Sequence, residues 1–167
     1  MKLQTPLVLA IDIGTSSARA LLFDGAGRRV PAVSAQERYT LPATDDGAVE
    51  VDPDMLLRAV VACIDQAQAR LAEQNKGARI AAVAMSTFVG NLMGVDTDNQ
   101  PVTPLLTYAD TRSAPEVAIL RNTVDEEAVH QRTGCRLHTS YWPAQLRWIA
   151  AARPDWLAQT AQWITLG

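Results

Sequence analysis

The 167-residue chain has only two cysteines, Cys63 and Cys135, and no C-x-x-C pair. That excludes a disulfide framework and a cysteine-based zinc site, and it fits a reducing cytoplasm. Basic charge is not in excess either, with 15 Lys and Arg against 18 Asp and Glu and a formal net charge of -3. The footprint of a nucleic-acid binder is therefore missing. No apolar run is long enough to span a membrane, and the opening MKLQTPLVLAIDIG is broken by Asp12, so it does not read as a signal peptide. Two common phosphate loops are absent as well. There is no G-x-x-x-x-G-K-[ST], and GAGRRV lacks the third glycine and the following helix of a dinucleotide fingerprint.

What is present begins at LAIDIGTSSARALLFD, residues 9–24. Two strand-like runs, 7–13 and 18–23, are joined by a turn of small residues, and an aspartate stands inside the first. An ordinary hairpin has no use for a carboxylate in the middle of a buried strand. A third, weaker strand is expected over 29–39, and the acidic, turn-rich segment after it ends at Asp52-Pro53, a helix start with proline at the first helical position. Leu56, Val60, Ile64, Ala67 and Leu71 then recur at helical spacing, with Arg58, Asp65 and Gln68 on the other face and an end expected near Gly77.

RIAAVAMS, residues 79–86, reads as the next strand. Segments 91–95 and 102–108 flank DTDNQP as a hairpin, with Asp110 and Arg112 just beyond it on what reads as an extended stretch. Helices are expected over about 115–122, 126–133, 143–152 and 155–162, before a last apolar WITL. The order predicts an α/β fold in one domain, a mixed sheet flanked by helices. Trp142, Trp148, Trp156 and Trp163 read as core or interface residues, and His130 and His138 as structural ones.

The hairpin has the parts of a phosphate and metal site. Gly14, Thr15, Ser16 and Ser17 offer close backbone approach with N–H and hydroxyl donors, Asp12 is suited to a hydrated Mg²⁺, and Arg19 adds a cation. The competing reading is a tight hairpin whose aspartate caps the turn and whose arginine faces solvent.

IDIGTSSARALLFD resembles the first phosphate motif of the sugar kinase and actin superfamily, and specifically the opening of the FGGY carbohydrate kinases, the family of xylulokinase, gluconokinase and glycerol kinase. EVDP, residues 50–53, is similar to the family's E-Q-D-P, with Val51 as the departure. AMSTFVGNLMGVDTDNQPVTPLLTYADTRS resembles the segment ending in W-x-D-x-R, with Tyr108 in place of Trp. RTGCRLHTSYWPAQLRWI resembles T-G-x-x-x-H-x-x-x-x-x-x-K-L-x-W; His138 matches its histidine and Arg147 lies near its lysine. Four motifs in family order cover nearly the whole chain.

The resemblance implies a ribonuclease-H-like fold, of which residues 1–167 form the N-terminal part of an incomplete first domain. It also implies ATP and Mg²⁺ as cofactors and a small-molecule sugar, sugar acid or polyol as substrate. Asp12 matches the aspartate associated with Mg²⁺ and the phosphates, Gly14, Thr15 and Ser16 match the phosphate hairpin, and Arg19 matches a position that is often basic. Asp110 and Arg112 match sugar-hydroxyl ligands. Val89 and Gly90 stand where xylulokinase- and gluconokinase-like sequences carry Met-His, so a substrate-contacting imidazole is absent. The general base and the adenine pocket are expected beyond Gly167, which leaves this piece inactive alone. A non-catalytic actin-like nucleotide-binding or assembly module is the alternative, and a cut sheet edge would favour a homodimer.

Overall fold

The computed structural model describes residues 3–75 and 77–167. The chain folds as two compact units. One takes in the residues up to Thr40, Asp54–Phe88 and Gly167, and the other Leu41–Pro53 and Val89–Leu166.

The first unit is built on a hairpin of β1 (Leu7–Ile13) and β2 (Ser17–Phe23), paired antiparallel with Asp12 opposite Arg19. β3 (Ala35–Arg38) adds to β2 antiparallel, and β5 (Ile80–Thr87) adds to β1 in parallel, giving the order β3-β2-β1-β5. The expected strand over 29–39 is shorter than its sequence suggests. Pro31 cannot donate to a ladder, and residues Pro31–Val33 form a 3-10 turn before the strand begins.

Helix α1 (Pro53–Gln74) starts at the expected proline. Its inward face is Leu56, Cys63, Ala67 and Leu71, with Val60 and Ile64 half-buried beside them. Cys63, which the apolar spacing passes over, donates its thiol to the Ala18 carbonyl at 3.3 Å, and burial pushes its pKa up. Leu7, Leu9, Ala18, Ala20, Leu22 and Ala35 from the sheet complete this core, each fully buried leucine contributing about 1.5–3 kcal/mol. After β2, DGAGR turns as expected. Asp24 accepts from the Ala26 and Arg28 amides and from the Arg28 guanidinium at 2.7 Å, and a Cβ on Gly25 would lie 2.5 Å from the Thr5 carbonyl oxygen.

The second unit pairs its strands in twos: β4 (Glu50–Val51) with β7 (Leu105–Leu106), and β6 (Met93–Val95) with β8 (Gln162–Ile164), all antiparallel. The expected hairpin closes at Asp96, which accepts from the Asp98 and Gln100 amides at 2.9 Å, while Leu92 and Leu106 exchange backbone bonds. Helices α2 (Ala114–Thr123), α3 (Glu126–Thr133), α4 (Trp142–Ala152) and α5 (Pro154–Gln159) follow. The last stops short of the expected 162, because the chain there turns into β8. Asp125 caps α3, and Gly134 ends it at φ 72. The core gathers Leu92, Leu106, Ile149 and Trp156. No helix among the described residues is long and apolar enough to cross a membrane.

Candidate functional site

In the first unit the turn between β1 and β2 is closed by the Gly14 amide donating to the Ser17 carbonyl at 3.0 Å. Tyr39, just past the end of β3, braces it, its hydroxyl donating to the Gly14 carbonyl and its amide to the Ser16 carbonyl at 3.1 Å. Ser17 is buried and accepts from Gln36 at 2.9 Å, so its hydroxyl serves the sheet. Ser16 is exposed and Thr15 half-exposed. Gly14 is not in the left-handed region, and an added Cβ would meet nothing closer than 3.4 Å. Neither the turn's backbone nor its packing demands glycine there; the missing side chain leaves the tip open.

Asp12 corrects one expectation. Alternation along β1 buries Leu7, Leu9, Ile11 and Ile13, which puts Asp12 on the opposite, half-exposed face. Its side chain keeps 39% of its exposure, and Arg19 across the pair keeps 45%, with a separation of 3.7 Å. This is a long, solvated ion pair, worth about 0–1 kcal/mol. The carboxylate thus remains available to a ligand. Burial first, and then the charge of Asp12, raise the Tyr39 phenol above its usual range. One accessible carboxylate beside a polar turn suits Mg²⁺, which keeps several waters and takes one or two carboxylates plus substrate phosphates. Among the described residues no group of three or more His, Cys, Asp or Glu forms a complete protein cage for a metal.

In the second unit Asp110 and Arg112 lie in a turn, not on the expected extended stretch: the Asp110 amide donates to the Thr107 carbonyl and the Ala114 amide to Thr111. Asp110 is 3% exposed. It accepts from the Val49 amide at 3.2 Å, the Arg112 amide at 3.0 Å and the Arg112 guanidinium at 2.7 Å. Arg112 also donates to Glu50 at 2.7 Å, and its guanidinium lies 4.4 Å from the Trp148 ring centroid. Burial works against its charge, but the hydrogen bonds to Asp110 and Glu50 outweigh that and raise its pKa. Asp110 and Arg112, which the sequence places two apart, are thus paired with each other, and two residues the sequence reading did not connect with them complete the cluster. Glu50 was visible within EVDP, and Trp148 at the end of the last motif.

Gly90 has φ +68, and a Cβ there would lie 3.0 Å from the Tyr108 Cβ and 3.3 Å from that of Ser140. Backbone and packing together disfavour any side chain here, so an imidazole at this position would strain this loop. Val89 beside it is 81% exposed. Ser140 lies 3.0 Å by its hydroxyl from His138 Nδ1, which gives His138 a structural partner. Arg147 pairs with Glu116 at 2.9 Å, and counting the last motif from Thr133 puts Gln145, not Arg147, at its lysine position. Gln145 is 2% exposed, and among the described residues neither carboxamide atom has a hydrogen-bond partner.

A mixed sheet packed against a helix and carrying a braced, open hairpin makes this an α/β fold. Residues 7–167 match the N-terminal domain of the FGGY family of carbohydrate kinases, and the chain belongs to that family. It is 28% identical over 160 residues to the gluconokinase of Bacillus subtilis (strain 168), covering 96% of this chain and 30% of that protein. The xylulose kinase of Rhodospirillum rubrum superposes with a TM-score of 0.87 at 26% identity, over 95% of this chain and 32% of that one. The gluconate kinase of Lactobacillus acidophilus does so with a TM-score of 0.82 at 26% identity, over 95% and 31%. The chain thus spans under a third of the length of these relatives.

Proposed function

We propose that this chain carries the phosphate hairpin and part of the substrate side of an ATP-dependent kinase acting on a hydroxyl of a sugar, sugar acid or polyol. The observation that carries the reading is Asp12: an accessible carboxylate at the mouth of a turn whose tip is open and whose stem is fixed by Tyr39. Positioning and charge stabilisation are most of what phosphoryl transfer asks of a protein. Asp12 would hold the hydrated Mg²⁺ of Mg·ATP, and that ion would neutralise charge on the phosphate oxygens. Thr15 and Ser16 would donate to those oxygens, Gly14 would leave room for their close approach, and Arg19 would be the adjoining cation.

On the substrate side, Asp110 and Arg112 are committed to each other, Val49, Glu50 and Trp148. We assign them the rigidity of the loop that meets the substrate, with Val89 and the main chain of Gly90 as contacts. The gluconokinase and xylulose kinase relatives favour a sugar acid or ketose, and the cytoplasm is the compartment expected for such an enzyme.

The test is ADP release from Mg·ATP by the longest product of the gene, over ketopentoses, aldonic acids and polyols, with the 167-residue chain in parallel. Turnover that depends on one substrate class supports the reading and names that class. No turnover on any of them, with the protein folded, contradicts it and leaves a non-catalytic nucleotide-binding or assembly module.

A further inference from the structure

Gly14 opens the tip of the hairpin, and it also leaves the tip loosely held. With no Cβ, a glycine lets the peptide that follows it rotate at little cost, so the trans Gly14–Thr15 peptide needs an outside contact to keep one orientation. Tyr39 supplies that contact, its hydroxyl donating to the Gly14 carbonyl. The other bonds of the turn, from the Tyr39 amide to the Ser16 carbonyl and from the Gly14 amide to the Ser17 carbonyl, are main-chain bonds that do not depend on the side chain at position 39.

The face from which Tyr39 arrives decides where the peptide points. Glu37 pairs with Ala18 and accepts from Gln66 on α1, so it lies on the face that the helix covers. Tyr39, two residues further along the same ladder, packs against the same core. Asp12 and Arg19, directly opposite each other, lie on the other face of the sheet. In a trans peptide the carbonyl and the next amide point in opposite directions. A Gly14 carbonyl drawn toward the α1 face therefore turns the Thr15 N–H toward the face of Asp12 and Arg19.

We propose that Tyr39 is a positioning residue, its hydroxyl fixing the Gly14–Thr15 peptide so that the Thr15 amide donates, beside Asp12, to an oxygen of the nucleotide phosphates. This rests on the kinase reading and adds to it a residue that acts through the turn without touching the nucleotide. Every contact it uses lies inside the first unit.

Calorimetric titration of the longest product of the gene with Mg·ATP, alongside its kinetics, tests this. Tyr39→Phe keeps the ring and the main-chain bonds and removes one hydroxyl. Mg·ATP should bind about tenfold more weakly, the loss of one hydrogen bond to a charged group, and the KM for Mg·ATP should rise to match. The KM for the hydroxyl substrate and the circular dichroism should not change. A second arm needs no Tyr39 variant: in wild type carrying isotope-labelled threonine, with the Thr15 resonance assigned through Thr15→Ser, the Thr15 amide should shift as Mg·ATP saturates the protein. Wild-type affinity in folded Tyr39→Phe, a fall in kcat with both KM values unchanged, or a Thr15 amide that Mg·ATP leaves unmoved overturns the proposal. Failure of the kinase reading looks different. Wild type that binds Mg·ATP but releases no ADP with any hydroxyl substrate contradicts that reading, and the titration and the Thr15 amide still decide for or against Tyr39. Wild type that binds no Mg·ATP overturns both.

Discussion

The first unit and the second each hold an aspartate beside an arginine, and the two pairs differ in burial and in partners. Asp12 and Arg19 face each other across a hairpin, both well solvated and 3.7 Å apart. The side chains of Asp110 and Arg112 are 4% and 11% exposed, joined at 2.7 Å, and tied to Glu50 and Trp148. The same two residue types are thus left open to a ligand in one place and saturated by the protein in the other. The lesson is that burial and donor count, not residue identity, decide which pair is offered to a ligand and which fixes a loop.

The largest effect that separates them is on folding. Arg112→Ala leaves Asp110 buried without its cation, and the expected loss is about 3–5 kcal/mol, read from denaturant unfolding. The next is at the glycines. Gly90→Ala forces a left-handed residue against Tyr108 and should cost about 1–2 kcal/mol in the same experiment. Gly14→Ala meets only an ordinary 3.4 Å contact and should leave stability unchanged or raise it by about 0.4–1 kcal/mol, while closing the tip to phosphate.

A third carboxylate sharpens the contrast through pH. The Arg28 side chain beside Asp24 lowers its pKa from 3.8 to about 2, with the Arg28 and Ala26 amides acting in the same direction. A depressed carboxylate contributes stability above its unfolded pKa and loses it as pH falls through the folded one. The stability gap between wild type and Asp24→Asn should therefore be constant above about pH 4 and shrink between about 4 and 2, measured by thermal unfolding along a pH series. The smallest stability effect belongs to Asp12→Asn, expected within about 1 kcal/mol and further reduced by salt.

Much of this was legible in the sequence where the interaction is local. The hairpin of residues 7–23, the proline start of α1 and the turn at Asp24 each follow from short-range chemistry and lie within a residue or two of where the sequence puts them, while α1 ends at Gln74, three residues before Gly77. The long-range parts were not. Arg112 finds Glu50 62 positions away, and no spacing rule pairs them. The accessibility of Asp12 depends on which face of β1 the helix covers, which alternation alone does not say. By sequence Gly90 marks a missing histidine, and only the backbone shows a left-handed position that disfavours side chains. The inward thiol of Cys63 was hidden by counting only branched and aliphatic residues toward the helix face.

The most direct test of the account is Asp12→Asn in the longest product of the gene, with substrate-dependent ADP release and unfolding measured on one preparation. The expected result is unfolding stability within about 1 kcal/mol of wild type and turnover reduced by about 10²-fold or more. Turnover retained by a folded Asp12→Asn protein would contradict the claim that the open pair, and not the locked one, meets the phosphates.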